Sequence, residues 1–137
     1  MSKTAVVYWS GTGNTQAMAE AVAAAAQADI FTAAEFSANL MANYDAVAFG
    51  CPSMGAEQLE ESEFEPMFAS VKPALGGKKI ALFGSYGWGD GEWMRTWEED
   101  CLTAGAQLVS DSVICQESPD SDALAECESL GAALKNS

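Results

Sequence analysis

Short apolar stretches alternate with longer helical patterns five times along the chain. Runs such as Ala46–Phe49 and Ile80–Phe83 are apolar at every position, which is typical of parallel strands covered on both faces. The pattern predicts strands over Thr4–Trp9, Asp29–Thr32, Asp45–Cys51, Lys79–Gly84 and Gln107–Cys115. It predicts helices over Thr15–Ala28, Ser37–Ala42, Glu63–Leu75, Glu92–Ala104 and Ser121–Lys135. The sequence therefore predicts an α/β fold, a doubly wound parallel sheet with helices on both faces.

The chain of 137 residues is long enough for one packed core and too short for two ordinary ones. No linker or repeat divides it, so we expect residues 1–137 to form one domain. Its longest apolar run, within Ala17–Ala28, is broken by Glu20 and Gln27 and is too short to span a bilayer. The N-terminus lacks the apolar stretch and cleavage site of a secretory signal. We therefore expect a cytoplasmic protein with no membrane segment.

The chain contains no histidine, and its four cysteines are spaced singly: Cys51, Cys101, Cys115 and Cys127. This spacing lacks the ligand pattern of a zinc or iron–sulfur site and favours buried or unreactive thiols. The absence of histidine excludes Ser-His-Asp and Cys-His catalysis. Chemistry on this chain has therefore to come from a cofactor, and we expect no metal.

Twenty acidic and six basic side chains give a formal net charge of −14. The phosphates of nucleic acids and anionic membranes would be repelled by such a protein, so we expect neither as a partner. An acidic surface suits a partner protein with a basic docking face, but it also serves solubility alone. Charge by itself does not decide between these two roles.

The first predicted strand ends in a loop of small and hydroxyl-bearing residues that runs directly into the first helix: Ser10, Gly11, Thr12, Gly13, Asn14 and Thr15. Glycines allow backbone N–H groups to turn inward, the hydroxyls and the amide add donors, and a helix N-terminus favours an anion. The loop matches neither G-x-x-x-x-G-K-[ST] nor G-x-G-x-x-G, which disfavours an ATPase and a dinucleotide dehydrogenase. It therefore predicts a phosphate site without a cationic side chain, the alternative being a tight turn with a capped helix.

Two further glycine-rich segments, residues 50–57 and 84–91, follow the third and fourth predicted strands. In a doubly wound sheet these loops and the first one emerge at the same carboxyl edge, where ligands bind. Trp88 lies between glycines, which suits a ring that stacks on a flat ligand, and Met54 could cover the other face. The alternatives are an exposed loop aromatic and an ordinary surface methionine. Trp9, Trp93 and Trp97 are interpreted as packing residues.

Three segments of the chain resemble the short-chain, anaerobe-type flavodoxins: residues 6–15 (VVYWSGTGNT), 50–55 (GCPSMG) and 78–91 (KKIALFGSYGWGDG). The resemblance implies a five-stranded sheet of order 2-1-3-4-5 and non-covalently bound FMN. It implies a low-potential one-electron carrier that cycles between semiquinone and hydroquinone and shuttles electrons between redox enzymes. It also implies redox partner proteins, and we expect the carrier itself to be a monomer.

Carried over by position, the resemblance places the FMN phosphate on residues 10–15 and the isoalloxazine ring between Met54 and Trp88. Glu57 would accept a hydrogen bond from flavin N3–H, unless it is one more solvated carboxylate of an acidic run. The full set of expected cofactor contacts is Ser10, Gly11, Thr12, Gly13, Asn14, Thr15, Pro52, Ser53, Met54, Gly55, Ala56, Glu57, Ser85, Tyr86, Gly87, Trp88 and Gly89.

The peptide after Met54 reorients in this family when the flavin gains an electron, so that a carbonyl can accept from N5–H. Gly55 fits that role because a II′ turn needs a positive φ at its first central position. Ala56 stands where relatives often have Asp, which bears on the turn equilibrium. A site that binds one redox state of the flavin more tightly shifts the redox equilibrium toward that state. The acidic surroundings disfavour an added negative charge on the flavin.

Two other functions share this topology. An FMN-dependent quinone or NAD(P)H reductase is the alternative, although the chain has no visible nicotinamide site and little room for insertions. A response-regulator-like module needs an acidic cluster at the end of the first strand to hold Mg²⁺. That place is taken by Trp9-Ser10-Gly11, which excludes this module.

Overall fold

A parallel sheet forms the centre of the molecule in a computed structural model that describes residues 3–11, 13–54, 59–87, 89 and 91–137. Its strands are β1 (Thr4–Tyr8), β2 (Asp29–Thr32), β3 (Ala46–Gly50), β4 (Lys79–Tyr86), β5 (Gln107–Leu108) and β6 (Val113–Gln116). They lie in the order β2-β1-β3-β4-β5, and β6 also pairs with β4. All of these pairs are parallel. The predicted fold class and the order 2-1-3-4-5 are confirmed.

The helices of the described residues are α1 (Asn14–Ala26), α2 (Ala38–Met41), α3 (Phe64–Val71), α4 (Glu92–Thr103) and α5 (Ser121–Lys135). Single turns of 3-10 helix cover Ala33–Glu35 and Lys72–Ala74. The predicted third helix extended to Leu75, but α3 ends at Val71 because Pro73 has no N–H to continue the α-helical bonds. Within the described part of the chain, no helix is long and apolar enough to cross a membrane.

Two apolar layers cover the sheet, one on each face. Met18 of α1 and Leu130 of α5 pack with Val6 and Phe83 on one face. Phe64 of α3 and Trp97 of α4 pack in the layer on the other face. Successive residues of β1, β3 and β4 point to opposite faces and are buried on both, which is why these strands read as uninterrupted apolar runs.

The predicted fifth strand, Gln107–Cys115, is wrong as a single strand, because it is divided into β5 and β6, which gives the sheet six strands among the described residues rather than five. Leu108 pairs with Ile80 and Val113 pairs with Phe83, so residues 109–112 lie opposite residues 81–82 alone. These two extra residues form a bulge in an edge strand. The polar segment Ser110–Ser112 suits it because its hydroxyls find partners outside the ladder: Ser110 donates locally to the carbonyl of Asp111, and Ser112 donates to Glu98 of α4.

Helices α1 and α5 lie close together because both present small residues at their contact. A Cβ atom built on Gly131 of α5 would lie 2.4 Å from the carbonyl oxygen of Val22 in α1. A backbone atom cannot move aside as a side chain can, so this position admits no larger residue without a shift of one helix.

We expect Gly131→Ala to lower the free energy of unfolding by about 1–3 kcal/mol, because overpacking outweighs the better helix propensity of alanine. Urea denaturation checks this. Gly76→Ala is the matched control, because a Cβ there would be 3.9 Å from its nearest neighbour, the Ala104 carbonyl oxygen. Equal urea midpoints for the two variants would contradict the tight α1–α5 contact.

Candidate functional site

A cavity of about 320 Å³ lies at the carboxyl ends of β1, β3 and β4. It is lined by Trp9, Gly11, Asn14, Pro52, Ser53, Met54, Ser85, Tyr86, Gly87 and Glu117. The structure thus brings together residues of all three predicted loops. Trp9, which was interpreted as packing, also lines the cavity, and Glu117 belongs to none of the predicted loops.

The loop between β1 and α1 contains a hydrogen bond between two of its own residues. Ser10 Oγ accepts a hydrogen bond from the N–H of Gly13 at 3.0 Å, and Gly13 has a φ of 95°, which favours glycine. The first bond of α1 runs from the Ala17 N–H to the Gly13 carbonyl at 3.0 Å. The amides of residues 14–16 precede that bond and are available to an anion at the positive end of the helix dipole.

A buried hydroxyl pair ties this loop to β4. Thr15 Oγ1 lies 2.9 Å from Ser85 Oγ, and the two residues are 1% and 4% exposed. The Ser85 carbonyl in turn accepts from the N–H of Ser53 at 2.9 Å, which joins the loop after β3 to β4. Ser85 therefore connects Thr15, at the start of α1, and Ser53, after β3, to the end of β4.

Trp9 forms a second link between loops. Its indole Nε1–H donates to Glu63 Oε1 at 3.1 Å, which connects the end of β1 to the segment before α3. A Cβ atom on Gly11 would lie 3.1 Å from the Trp9 ring, so the ring lies close to the loop between β1 and α1.

Glu60 is a buried carboxylate that organises the start of α3. Its Oε1 accepts from the amides of Glu63 and Phe64, each at 2.8 Å, and its Oε2 accepts from the amide and hydroxyl of Ser62. Its own N–H donates to Cys51 Sγ at 3.3 Å. Burial raises the pKa of Glu60, but these hydrogen bonds outweigh burial and lower it to about 2. Glu60 therefore fixes the segment that leads out of the loop after β3.

The described cysteines are free thiols, and three of them, Cys51, Cys101 and Cys127, are buried. Burial raises the pKa of Cys51 well above its usual range and the pKa values of Cys101 and Cys127 to about 12. These thiols are therefore protonated and unreactive at neutral pH. Among the described residues, no group of three histidine, cysteine or acidic side chains could hold a metal ion.

A larger groove, of about 670 Å³, lies between α3 and α4. Its lining includes Trp93 and Trp97, which are both 2% exposed, as packing residues are. Trp93 Nε1–H donates to the Cys51 carbonyl at 3.2 Å, whereas the buried Nε1–H of Trp97 has no hydrogen-bond partner among the described residues. The groove contains no residue of the loop between β1 and α1, so the smaller cavity is the candidate site.

Five of the predicted contacts, Thr12, Gly55, Ala56, Glu57 and Trp88, lie outside the described residues. Ring stacking by Trp88, the N3–H contact of Glu57 and the reorientation of the peptide before Gly55 therefore stay predictions. Gly89 has a φ of 90°. Sequence reasoning missed Glu60 and Glu117; an acidic residue three or four positions before a helix was the available signal for Glu60.

Comparisons with known proteins point to one family. The family model described as flavodoxin matches residues 6–131. A flavodoxin of Megasphaera elsdenii is 46% identical over 133 residues, which are 93% of this chain and 95% of the relative. One of Clostridium beijerinckii is 42% identical over 136 residues, 96% of this chain and 98% of the relative. The solution structure of two-electron reduced Megasphaera elsdenii flavodoxin superimposes with a TM-score of 0.90, at 41% identity, over 98% of this chain and 99% of that one.

We expect Glu60→Gln to destabilise the protein at pH 7 by on the order of 3 kcal/mol, because the shift from 4.5 to about 2 is worth about 1.4 kcal/mol per pKa unit. The folded-state pKa is lowered, so this contribution is full above pH 4.5 and is lost as the pH falls toward 2. Urea denaturation of both proteins at several pH values checks this. Glu61→Gln, at an exposed neighbour, should change little. A difference that persists unchanged at low pH would contradict the assignment.

Proposed function

The chain belongs to the flavodoxin family, and on that premise we propose that it is a low-potential one-electron carrier whose FMN cycles between semiquinone and hydroquinone. Membership makes it an FMN-binding electron-transfer protein rather than an enzyme. The single observation that supports the finer proposal most is the cavity at the carboxyl edge, whose described lining includes the polar residues Asn14, Ser53 and Ser85 and no cationic side chain. We further propose that residues 1–137 act as one monomeric cytoplasmic unit.

The donor set suits a phosphate monoester. Ser10, Asn14 and Thr15 place hydroxyl and amide groups beside the N-terminus of α1, where an anion is favoured. The hydrogen bond between the Thr15 and Ser85 hydroxyls fixes the position of the Thr15 hydroxyl. The residues present therefore fit the phosphate end of FMN.

The remainder of the cavity suits a flat ring. Met54 is 36% exposed beside the cavity, and Pro52 and Tyr86 line it. We propose that Met54 covers one face of the ring and that Trp88 covers the other. FMN supplies the one-electron chemistry, because the described side chains at this edge offer no redox group of their own.

The residues of this protein would bind reduced FMN less tightly than oxidised FMN. A phosphate held by neutral donors keeps its charge, and Glu117 adds a carboxylate at the cavity wall. Both oppose an added negative charge in a site that is partly screened from water. Weaker binding of the reduced form lowers the potential, which makes the protein a stronger reductant.

The charges of the molecule are segregated along the strand direction. Five of the six cationic side chains lie toward the amino ends of the strands, away from the cavity: Lys3, Lys72, Lys78, Lys79 and Lys135. Exposed carboxylates flank the cavity edge: Glu61, Glu63, Glu65, Glu117 and Asp120. This supports docking of redox partners with basic faces at the cavity edge, and it disfavours nucleic acids.

Stepwise anaerobic reduction of the FMN-loaded protein, followed by visible spectroscopy, tests the carrier role. We expect bound flavin bands to give way to an accumulating blue neutral semiquinone before bleaching. Direct bleaching, together with steady-state NADH or NADPH oxidation by the protein alone, would indicate the FMN-dependent quinone or NAD(P)H reductase instead. Failure to take up FMN would overturn the proposal.

Electron transfer from the reduced protein to a basic cytochrome c should slow severalfold as ionic strength rises from low to physiological values, because salt screens the acidic docking edge. Stopped-flow mixing over a salt series measures this. A neutral quinone as acceptor is the control, and its rate should not depend on salt. Equal salt dependence for both acceptors would count against an acidic docking face.

A further inference from the structure

The side chain of Trp9 borders two separate spaces at the carboxyl edge of the sheet. It lines the candidate cofactor cavity together with Gly11 and Asn14. It also lines a second pocket, of about 280 Å³, together with Gln16 and Glu63. No other described residue lines both of these spaces. The orientation of this one ring therefore determines where the cofactor cavity ends and the second pocket begins.

Contacts at two points hold the Trp9 ring. Its Nε1–H, the single hydrogen-bond donor of the side chain, donates to Glu63 Oε1 at 3.1 Å. At the six-membered ring, Cη2 and Cζ3 would lie 3.1 and 3.3 Å from a Cβ atom on Gly11. The backbone is fixed as well, because the Trp9 N–H donates to the Gly50 carbonyl at 3.0 Å. Only the side-chain torsions remain adjustable, and the hydrogen bond to Glu63 selects among their combinations.

Glu63 is itself held in place at the start of α3. Its N–H donates to the buried Glu60 carboxylate at 2.8 Å, and its carbonyl accepts from the Met67 N–H at 3.3 Å. Glu63 is the N-cap residue of α3, but its side chain makes no capping hydrogen bond to that helix. The Glu63 carboxylate therefore bonds to Trp9 and not to the helix that it precedes.

We propose that Glu63 is a positioning residue for cofactor binding, whose carboxylate holds the Trp9 indole as a wall of the FMN cavity. This rests on the proposed function, because it places FMN in that cavity. Glu63 acts through Trp9 and needs no contact with FMN. Without the acceptor the ring can take other orientations, for which the second pocket leaves room. FMN binding then has to restrict a side chain that the unchanged protein already holds, and this cost lowers the affinity for FMN.

Two other accounts of an effect at Glu63 are a lost charge near the cavity and a loss of stability. Glu63→Gln removes the charge and keeps an oxygen that accepts a hydrogen bond, whereas Glu63→Met removes both at similar length. Trp9→Phe removes the donor and keeps an aromatic ring, and the double variant Trp9→Phe/Glu63→Met completes a thermodynamic cycle. Glu128→Met, at an exposed position of α5 that lines neither space, is the control for the loss of one carboxylate.

The first measurement is the dissociation constant of each apoprotein for oxidised FMN, from the quenching of flavin fluorescence. We expect Glu63→Met to bind FMN about fivefold more weakly, because a hydrogen bond to a charged acceptor is lost. Glu63→Gln should stay within about twofold of the unchanged protein, because its amide oxygen still accepts from the indole. Glu63→Met should have no further effect in the Trp9→Phe background, and Glu128→Met should match the unchanged protein.

Two further readouts separate positioning from charge and from stability. Glu63→Gln and Glu63→Met should have the same two-electron midpoint potential, because both lose the same charge and the position of Trp9 affects both redox states equally. Their urea midpoints should also agree, because neither variant removes a cap from α3. The affinity for FMN alone should distinguish them.

The indole N–H signals in proton–nitrogen correlation spectra of the FMN-loaded protein report the hydrogen bond directly. The signal that disappears in Trp9→Phe assigns Trp9 among the four tryptophans. We expect this signal to move upfield in Glu63→Met and to stay near its position in Glu63→Gln.

Equal weakening of FMN binding in Glu63→Gln and Glu63→Met would overturn the proposal in favour of charge. An unchanged affinity in Glu63→Met, or a Trp9 signal that does not move, would also overturn it. An additive effect of Glu63→Met in the Trp9→Phe background would show that Glu63 does not act through Trp9. Absence of FMN binding by the unchanged protein would overturn the proposed function itself, whereas the Trp9 signal of the apoprotein would still report the bond to Glu63.

Discussion

The cavity at the carboxyl edge of the sheet depends on the close approach of the β3 and β4 backbones at their carboxyl ends. The Cys51 N–H reaches the Phe83 carbonyl at 3.2 Å, and the Ser53 N–H reaches the Ser85 carbonyl at 2.9 Å. A Cβ atom on Gly84 would lie 2.2 Å from the Cys51 carbonyl oxygen, so only glycine permits this approach. With the strand ends locked, the loops that follow leave the sheet side by side, and the Thr15–Ser85 hydroxyl pair adds the loop of β1 to them.

The arrangement of the helices around the sheet also places negative charge at the carboxyl edge. The helices run antiparallel to the strands, so the acidic first turns of α3, α4 and α5, with Glu65, Glu92 and Asp122, lie toward the carboxyl edge of the sheet. Such carboxylates stabilise the helix N-termini that bear them. The first turns that stabilise these helices therefore also make the carboxyl edge of the sheet acidic.

The sequence predicted the strands best where burial on both faces of the sheet requires an uninterrupted apolar run. β3 and β4 are buried on both faces, so their apolar runs predicted them almost to the residue. The bulge at residues 109–112 was not predictable, because it arises from register against β4 and not from any pattern in the segment itself. Glu60 and Glu117 look like ordinary surface acids in an acidic chain. Only the tertiary structure reveals that one is buried and hydrogen-bonded and that the other lines the cavity.

The bulge between β5 and β6 lies on an outer strand of the sheet, where unpaired N–H and C=O groups would otherwise offer a template to another chain. A strand from a second molecule needs an uninterrupted ladder to pair with, and the two extra residues break that ladder and bend the edge. The interruption thereby protects the protein against edge-to-edge aggregation at high concentration.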